Sequence, residues 1–183
     1  MSRYVAFLRG MNVGGHRLTN VELCEHFTAM GFREVKSFRA SGNVVFAGDE
    51  RTPQEVELHI QDGLQTALGY AVPTFIRSAA EVLAIAAKKP FDDERVAASK
   101  GKLQVAMLSS PPSAKVKREV LALGDEKTDL LAISKRELYW LPSAGLLESP
   151  LDLKAIERQL GAMTMRTKGT VEQIAGKHLA DDE

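Results

Sequence analysis

Apolar residues in the first ninety positions form two kinds of pattern, continuous runs and stripes at helical spacing. Residues 4–9 form a continuous apolar run that ends in Arg9 and is typical of a buried strand. Further strands are predicted at 35–39, at 43–47 and in the segment AVPTFIRS at 71–78. The stripes indicate helices and consist of Leu23, Phe27 and Met30, and of Val56, Ile60 and Leu64. The predicted order of elements is therefore βαββαβ.

Local signals indicate where these elements begin. Thr19 with Glu22, and Thr52 with Glu55, have the Thr-x-x-Glu spacing of a capping box, in which the threonine and glutamate satisfy the first free amides of a helix. Pro73 cannot donate a backbone hydrogen bond, so we expect the strand that contains it at a sheet edge.

The pattern repeats in the second half of the chain. The strand-like segments there are LQVAMLSS, LLAIS, ELYWLP and MTMR, and helical segments separate or follow them in the same order as before. We therefore predict an α+β fold of two tandem ferredoxin-like βαββαβ halves, each with an antiparallel sheet and an extra helix. The halves are assigned to residues 1–89 and 102–183, and the polar segment 90–101 is interpreted as a linker.

Composition narrows the class of protein. The 183 residues include 24 Lys and Arg and 24 Asp and Glu, which excludes a basic footprint over the whole molecule but leaves a local basic patch open. The single cysteine, Cys24, excludes an intramolecular disulfide and fits a reducing cytoplasm. No apolar stretch suits a signal peptide or approaches the ~20 residues of a membrane helix. We expect a soluble cytoplasmic protein without membrane association.

The strongest candidate site combines the loop after the first strand with the turn between the second and third strands. In a ferredoxin-like sheet these two segments lie at the same edge. Glycines allow backbone amides to approach an anion, arginines can grip a carboxylate or phosphate, and the helix beginning after Thr19 adds a positive end. The candidate ligand-binding residues are Arg9, Gly10, Asn12, Gly14, Gly15, Arg39, Ser41, Gly42 and Asn43.

The same residues also have a purely structural interpretation, and they exclude one class of nucleotide-binding enzyme. The same glycines and asparagines also suit a wide connection with unusual dihedral angles and no ligand. Gly10 and Gly15 have the spacing of a P-loop, but His16 and Arg17 stand where that motif needs Lys and Ser or Thr, which excludes a P-loop NTPase. The sequence identifies no catalytic residue and no cofactor, and it indicates no metal site.

The segments LRGMNVGG at 8–15 and SGNVVF at 41–46, on either side of a helix, resemble the DUF1697 family of bacterial proteins of unknown function. The resemblance implies the tandem α+β architecture over the whole chain and brings no established activity. Members of the family often carry a Thr-Arg-Asn-Trp-like segment after the last short strand. Here Arg166 and Val171 follow that pattern, whereas Lys168 and Gly169 stand where Asn and Trp would be.

Three functions are open at this point. The first is binding of a small anionic ligand (phosphate, nucleotide or carboxylate) where loop 9–15 meets turn 39–43. The second is binding of RNA or single-stranded nucleic acid, because RRM domains share this topology and stack bases on strand aromatics, for which Tyr4, Phe7 and Phe46 are candidates. The neutral charge favours the anionic ligand over nucleic acid. The third is a structural or interaction role, with a homodimer formed through an exposed sheet edge.

Overall fold

The structure, a computed structural model, describes residues 1–12, 14–39 and 42–180. It confirms a mixed α+β fold with two four-stranded antiparallel sheets in two similar halves. By its internal contacts the chain divides into two compact units. One is Met1–Ile85 together with the chain from Ile174 onward, and the other is Ala86–Gln173.

The sheet of the first unit has the order β2-β3-β1-β4, which is the ferredoxin-like order. Its strands are β1 (Arg3–Leu8), β2 (Arg33–Ser37), β3 (Asn43–Ala47) and β4 (Thr74–Ser78). The accompanying helices are α1 (Asn20–Ala29), α2 (Pro53–Leu68) and α3 (Ala79–Ala87). Strand β4 lies at the edge, as Pro73 predicts, although Pro73 itself precedes the strand.

Strand β1 is buried on both of its faces. Tyr4, Ala6 and Leu8 belong to one apolar cluster with the stripes of α1 and α2. On the opposite face, Val5 and Phe7 are both 0% exposed. Burial on both sides explains why this strand is a continuous apolar run rather than an alternating one.

The second unit repeats the topology with the sheet order β6-β7-β5-β8. Its strands are β5 (Gln104–Leu108), β6 (Asp129–Ser134), β7 (Glu137–Pro142) and β8 (Met163–Thr167). Its helices are α4 (Asp93–Ala98), α5 (Ala114–Leu121), α6 (Leu153–Leu160) and α7 (Lys168–Ile174), the last of which runs into a π-helical turn at Ala175–Leu179. Among the described residues, no helix combines the length and the apolar character that a membrane span needs.

The structure confirms both predicted capping boxes and changes two segments. The Thr19 amide donates to the Glu22 carboxylate at 2.8 Å, and the Thr52 amide donates to Glu55 at 2.7 Å. The predicted second strand at 35–39 is wrong in its limits, because Arg39 has a φ of +58° and lies beyond β2. Helix α4 lies within the polar segment 90–101; none of its residues is buried, so no apolar stripe marks it in the sequence.

Candidate functional site

The end of β1 and the turn before β3 lie side by side. The Leu8 amide donates to the Gly42 carbonyl at 2.8 Å, and Phe7 pairs with Asn43 in the sheet register. Gly42 is buried with a φ of +74°, and a Cβ there would lie 3.1 Å from the Leu8 Cβ. The predicted site residue Ser41, with Val13 and Ala40, lies outside the described residues.

The long loop between β1 and α1 is anchored near both of its ends. The Asn12 side-chain oxygen accepts a hydrogen bond from the Leu18 amide at 2.7 Å. The Tyr70 hydroxyl donates to the Met11 carbonyl at 2.9 Å, and the Met11 and Leu18 side chains are buried. These contacts hold the loop in place and leave the residues at 14–17 exposed between the anchors.

The exposed part of the loop borders an open depression of about 480 Å³. Gly14 and Gly15 have φ values of +65° and +86°, and a Cβ built on either would meet no atom within 4 Å. Glycine at these two positions therefore permits a left-handed backbone conformation and is not required by close packing, and the space beside both residues is open. The depression is lined by Asn12, Gly15, His16, Arg17, Leu18 and Thr19.

Among the side chains that line the depression, those of His16 and Arg17 carry the basic groups. The His16 ring stacks on the Tyr70 ring with 3.9 Å between centroids, so the His16 side chain packs against an aromatic partner from outside the loop. Arg17 is exposed, and within the described part of the chain no hydrogen bond or ion pair is found for it. No acidic residue precedes Glu22 in the sequence, so the loop itself is purely basic.

The N-terminus of α1 contributes less positive potential than the sequence predicts. Both the amide and the hydroxyl of Thr19 donate to the Glu22 carboxylate at 2.8 Å. These hydrogen bonds, the backbone one first, hold the pKa of Glu22 below its usual value of 4.5. The Glu22 carboxylate thus offsets the positive end of helix α1, so a bound anion would interact with groups of the loop instead.

The other predicted site residues differ in how many contacts they make within the fold. Asn43 is fully buried, and its side-chain amide donates to the Phe38 carbonyl at 2.9 Å, which is a structural role. The Arg9 amide donates to the Pro73 carbonyl at 3.0 Å, and Gly10 is exposed with a φ of +69°. The Arg39 carbonyl accepts from the Asn20 side chain at 3.1 Å. Tyr70 was not predicted, since its contact with Met11 spans 59 positions and leaves no local signal.

The aromatic residues considered for base stacking are all in the core. Tyr4 is 4% exposed, and Phe7 and Phe46 are both 0% exposed. Stacking on nucleic-acid bases needs an accessible ring face, so these three residues provide no RRM-like platform.

Comparisons with known proteins agree with the fold and add no activity. The structure is similar to that of a conserved bacterial protein, SP0830, from Streptococcus pneumoniae, with a TM-score of 0.69 and 21% identity over 96% of this chain and 97% of that one. No curated protein matches the chain. A family model described as DUF1697, protein of unknown function, matches residues 1–139, a range that ends before the departures at Lys168 and Gly169. Since this match covers most of its 183 residues, the chain belongs to the DUF1697 family.

Proposed function

We propose that the protein binds a small anion, of the phosphate, nucleotide or carboxylate class, in the loop 9–19 beside the turn 39–43. The observation that carries this proposal is the length of the loop. Eleven residues, 9–19, connect β1 to α1, whereas five residues, 109–113, make the equivalent connection from β5 to α5. The topology therefore needs only the shorter connection, and the additional residues of the first loop are free to serve a ligand.

The composition of the longer loop fits an anion. The short connection is Ser-Ser-Pro-Pro-Ser, without glycine or charge, whereas the long one contains three glycines, Arg9, His16 and Arg17. Residues in the left-handed conformation occur in protein nests, where successive backbone amides hold an anion, and Gly10, Gly14 and Gly15 all have this conformation. Arg17 supplies a planar fork of donors for a carboxylate or phosphate at the edge of the depression.

Titration of the intact protein with inorganic phosphate, adenosine monophosphate and citrate at low ionic strength tests this function. Ligand that binds the folded state raises the melting temperature, so we expect an increase with at least one of the three anions. The Arg17→Gln variant should weaken that binding about tenfold, because one charge-assisted contact is lost.

The matched control is Arg118→Gln, which removes an exposed arginine from helix α5 in the second unit. It should leave the binding constant unchanged. The function is contradicted if none of the three anions at millimolar concentration changes the melting temperature, or if Arg17→Gln and Arg118→Gln bind equally well.

A further inference from the structure

Helix α4 and the paired strands β6 and β7 border a cavity in the second unit. Its volume is about 240 Å³. The helical side is lined by Arg95, Ala98 and the following Ser99. The sheet side includes Leu130 and Leu141, which pair with each other across β6 and β7. We call this space the α4 cavity. It shares no residue with the depression of the first loop.

Packing within the protein does not account for the position of α4. The helix has six residues, none of them is buried, and its N-cap Asp92 makes no side-chain hydrogen bond. Short helices depend on a packed apolar face for their stability. The chain is fixed just after the helix, where the Ser99 hydroxyl donates to the Pro142 carbonyl. The next amide, that of Lys100, donates to the Ser143 carbonyl at 3.1 Å. A ligand in the cavity would supply the packing that the helix lacks.

The charged side chains at the cavity carry both signs. Arg95, Glu126 and Lys127 line it. Asp125 directly precedes Glu126, and its carboxylate accepts a hydrogen bond from the Lys127 amide at 2.7 Å. Arg95 lies 3.9 Å from Glu126, and the two side chains are 49% and 87% exposed, so both are accessible to a ligand. Two positive and two negative groups favour neither a plain anion nor a plain cation, and they complement a ligand with one charge of each sign.

We infer that the α4 cavity binds an apolar α-amino acid of the leucine class. Arg95 and Lys127 contact the ligand carboxylate, and Glu126 contacts its ammonium group. The ligand side chain packs on Leu130 and Leu141. An apolar acid without the ammonium group would bring its carboxylate close to Glu126 with nothing to offset the repulsion, so the site discriminates against it.

The size and the polar lining of the cavity fit such a ligand. The volume lies below the range of roughly 300–1,000 Å³ that is typical for drug-sized ligands, which favours a molecule as small as an amino acid. The hydroxyls of Thr128 and Ser143 also line the cavity, and neither has a hydrogen-bond partner within the described ranges. Both can bond to the polar end of the ligand.

L-Leucine is the probe, and calorimetry and NMR on the full chain measure its binding. Two analogues, 4-methylpentanoate and 3-methylbutylamine, lack the ammonium group and the carboxylate respectively. Each should bind at least about tenfold more weakly than leucine, because one charge-assisted contact is lost. Leucine should also slow amide exchange in α4, since an occupied cavity packs against the helix.

Two neighbouring alanines of α4 provide a matched pair of variants. Ala98→Phe places a ring in the cavity and should abolish leucine binding, whereas Ala97→Phe changes an exposed residue that does not line the cavity and should bind like the wild type. Glu126→Gln should remove the preference for leucine over 4-methylpentanoate, since the repulsion of the carboxylate is lost.

The inference is independent of the proposed function, so Arg17→Gln should bind leucine unchanged even if the first loop binds no anion. It is overturned if leucine at millimolar concentration moves no NMR signal of α4. Binding of either analogue as tightly as leucine would also overturn it, as would equal binding of leucine by Ala98→Phe and Ala97→Phe.

Discussion

At the scale of single residues, glycines with the same backbone conformation have different surroundings. Gly14 and Gly42 both have positive φ values, +65° and +74°. A side chain at Gly14 would enter open space, whereas one at Gly42 would lie 3.1 Å from the Leu8 Cβ and 3.3 Å from the Met11 sulfur. The first glycine is required by conformation alone, and the second by conformation and by packing.

Alanine substitution should separate these two requirements. Gly14→Ala should lower the free energy of unfolding by about 1 kcal/mol, the cost of a left-handed non-glycine residue. Gly42→Ala should cost about 2–4 kcal/mol, because overpacking against Leu8 and Met11 adds to the same strain. Urea denaturation measures both values, and equal losses would contradict the packing difference.

Individual residues of the candidate site were predictable only where a local pattern specifies the backbone. The left-handed glycines follow from the run of glycines in the first loop, which predicts unusual dihedral angles. No local pattern predicts the burial of Asn43 or the position of Arg39 over the Phe38 ring. Both depend on where strand β2 ends, which the sequence did not define correctly. The contacts of Lys177 with Phe38 and of Arg3 with the His178 carbonyl were not predictable for the same reason, because each joins residues from the two ends of the chain.

At the scale of elements, helix starts were the most predictable features. A capping box uses residues three apart, so Thr19 with Glu22 and Thr52 with Glu55 carry the whole signal locally. Helix α4 has a lone Asp92 at its start, without a side-chain hydrogen bond, and no buried residue. Helix α4 therefore shows neither an apolar stripe nor a capping box, which are the two sequence patterns that predict a helix.

The capping box of α2 gives an expected pH dependence. Hydrogen bonds from the Thr52 amide and then its hydroxyl lower the pKa of Glu55 below 4.5. A lowered folded-state pKa contributes stability that is present above the unfolded value and is lost as the pH falls through the folded value. In Thr52→Ala the hydrogen bond from the backbone amide of residue 52 remains and the one from the hydroxyl is lost, so the pKa of Glu55 should rise part of the way to 4.5.

Carboxyl NMR titration of the wild type and the variant measures this change. Thr66→Ala, an exposed substitution in the interior of the same helix, is the control and should leave the pKa of Glu55 unchanged. A pKa that is the same in Thr52→Ala as in the wild type would show that the hydroxyl bond does not form in solution.

At the scale of the whole molecule, the first unit is completed by residues from far along the chain. Ile174, Ala175 and Leu179 are buried, and the His178 carbonyl accepts the hydrogen bond of Arg3 from β1. The repeat of βαββαβ was visible in the sequence, because each half carries its own periodicity. The return of the chain to the first unit was not visible, since periodicity shows which face of a helix is buried but not its partner.

Truncation of one C-terminal side chain should therefore destabilise the first sheet. Leu179 is 1% exposed, and Leu179→Ala should lower the free energy of unfolding by about 2–5 kcal/mol and speed amide exchange in β1 and β2. Leu147→Ala removes a fully exposed leucine and should change neither. Faster exchange confined to the second unit would contradict the assignment of Leu179 to the first.

The return of the chain also sets the order of events during synthesis. Residues 174–180 leave the ribosome after the whole of residues 86–173, although they belong to the unit that is translated first. Domains generally fold as units, the N-terminal one first, but here the first one emerges without its last buried residues. A nascent chain halted before Ile174 would thus present an incomplete apolar surface, of the kind that chaperones bind, until translation supplies the final turn.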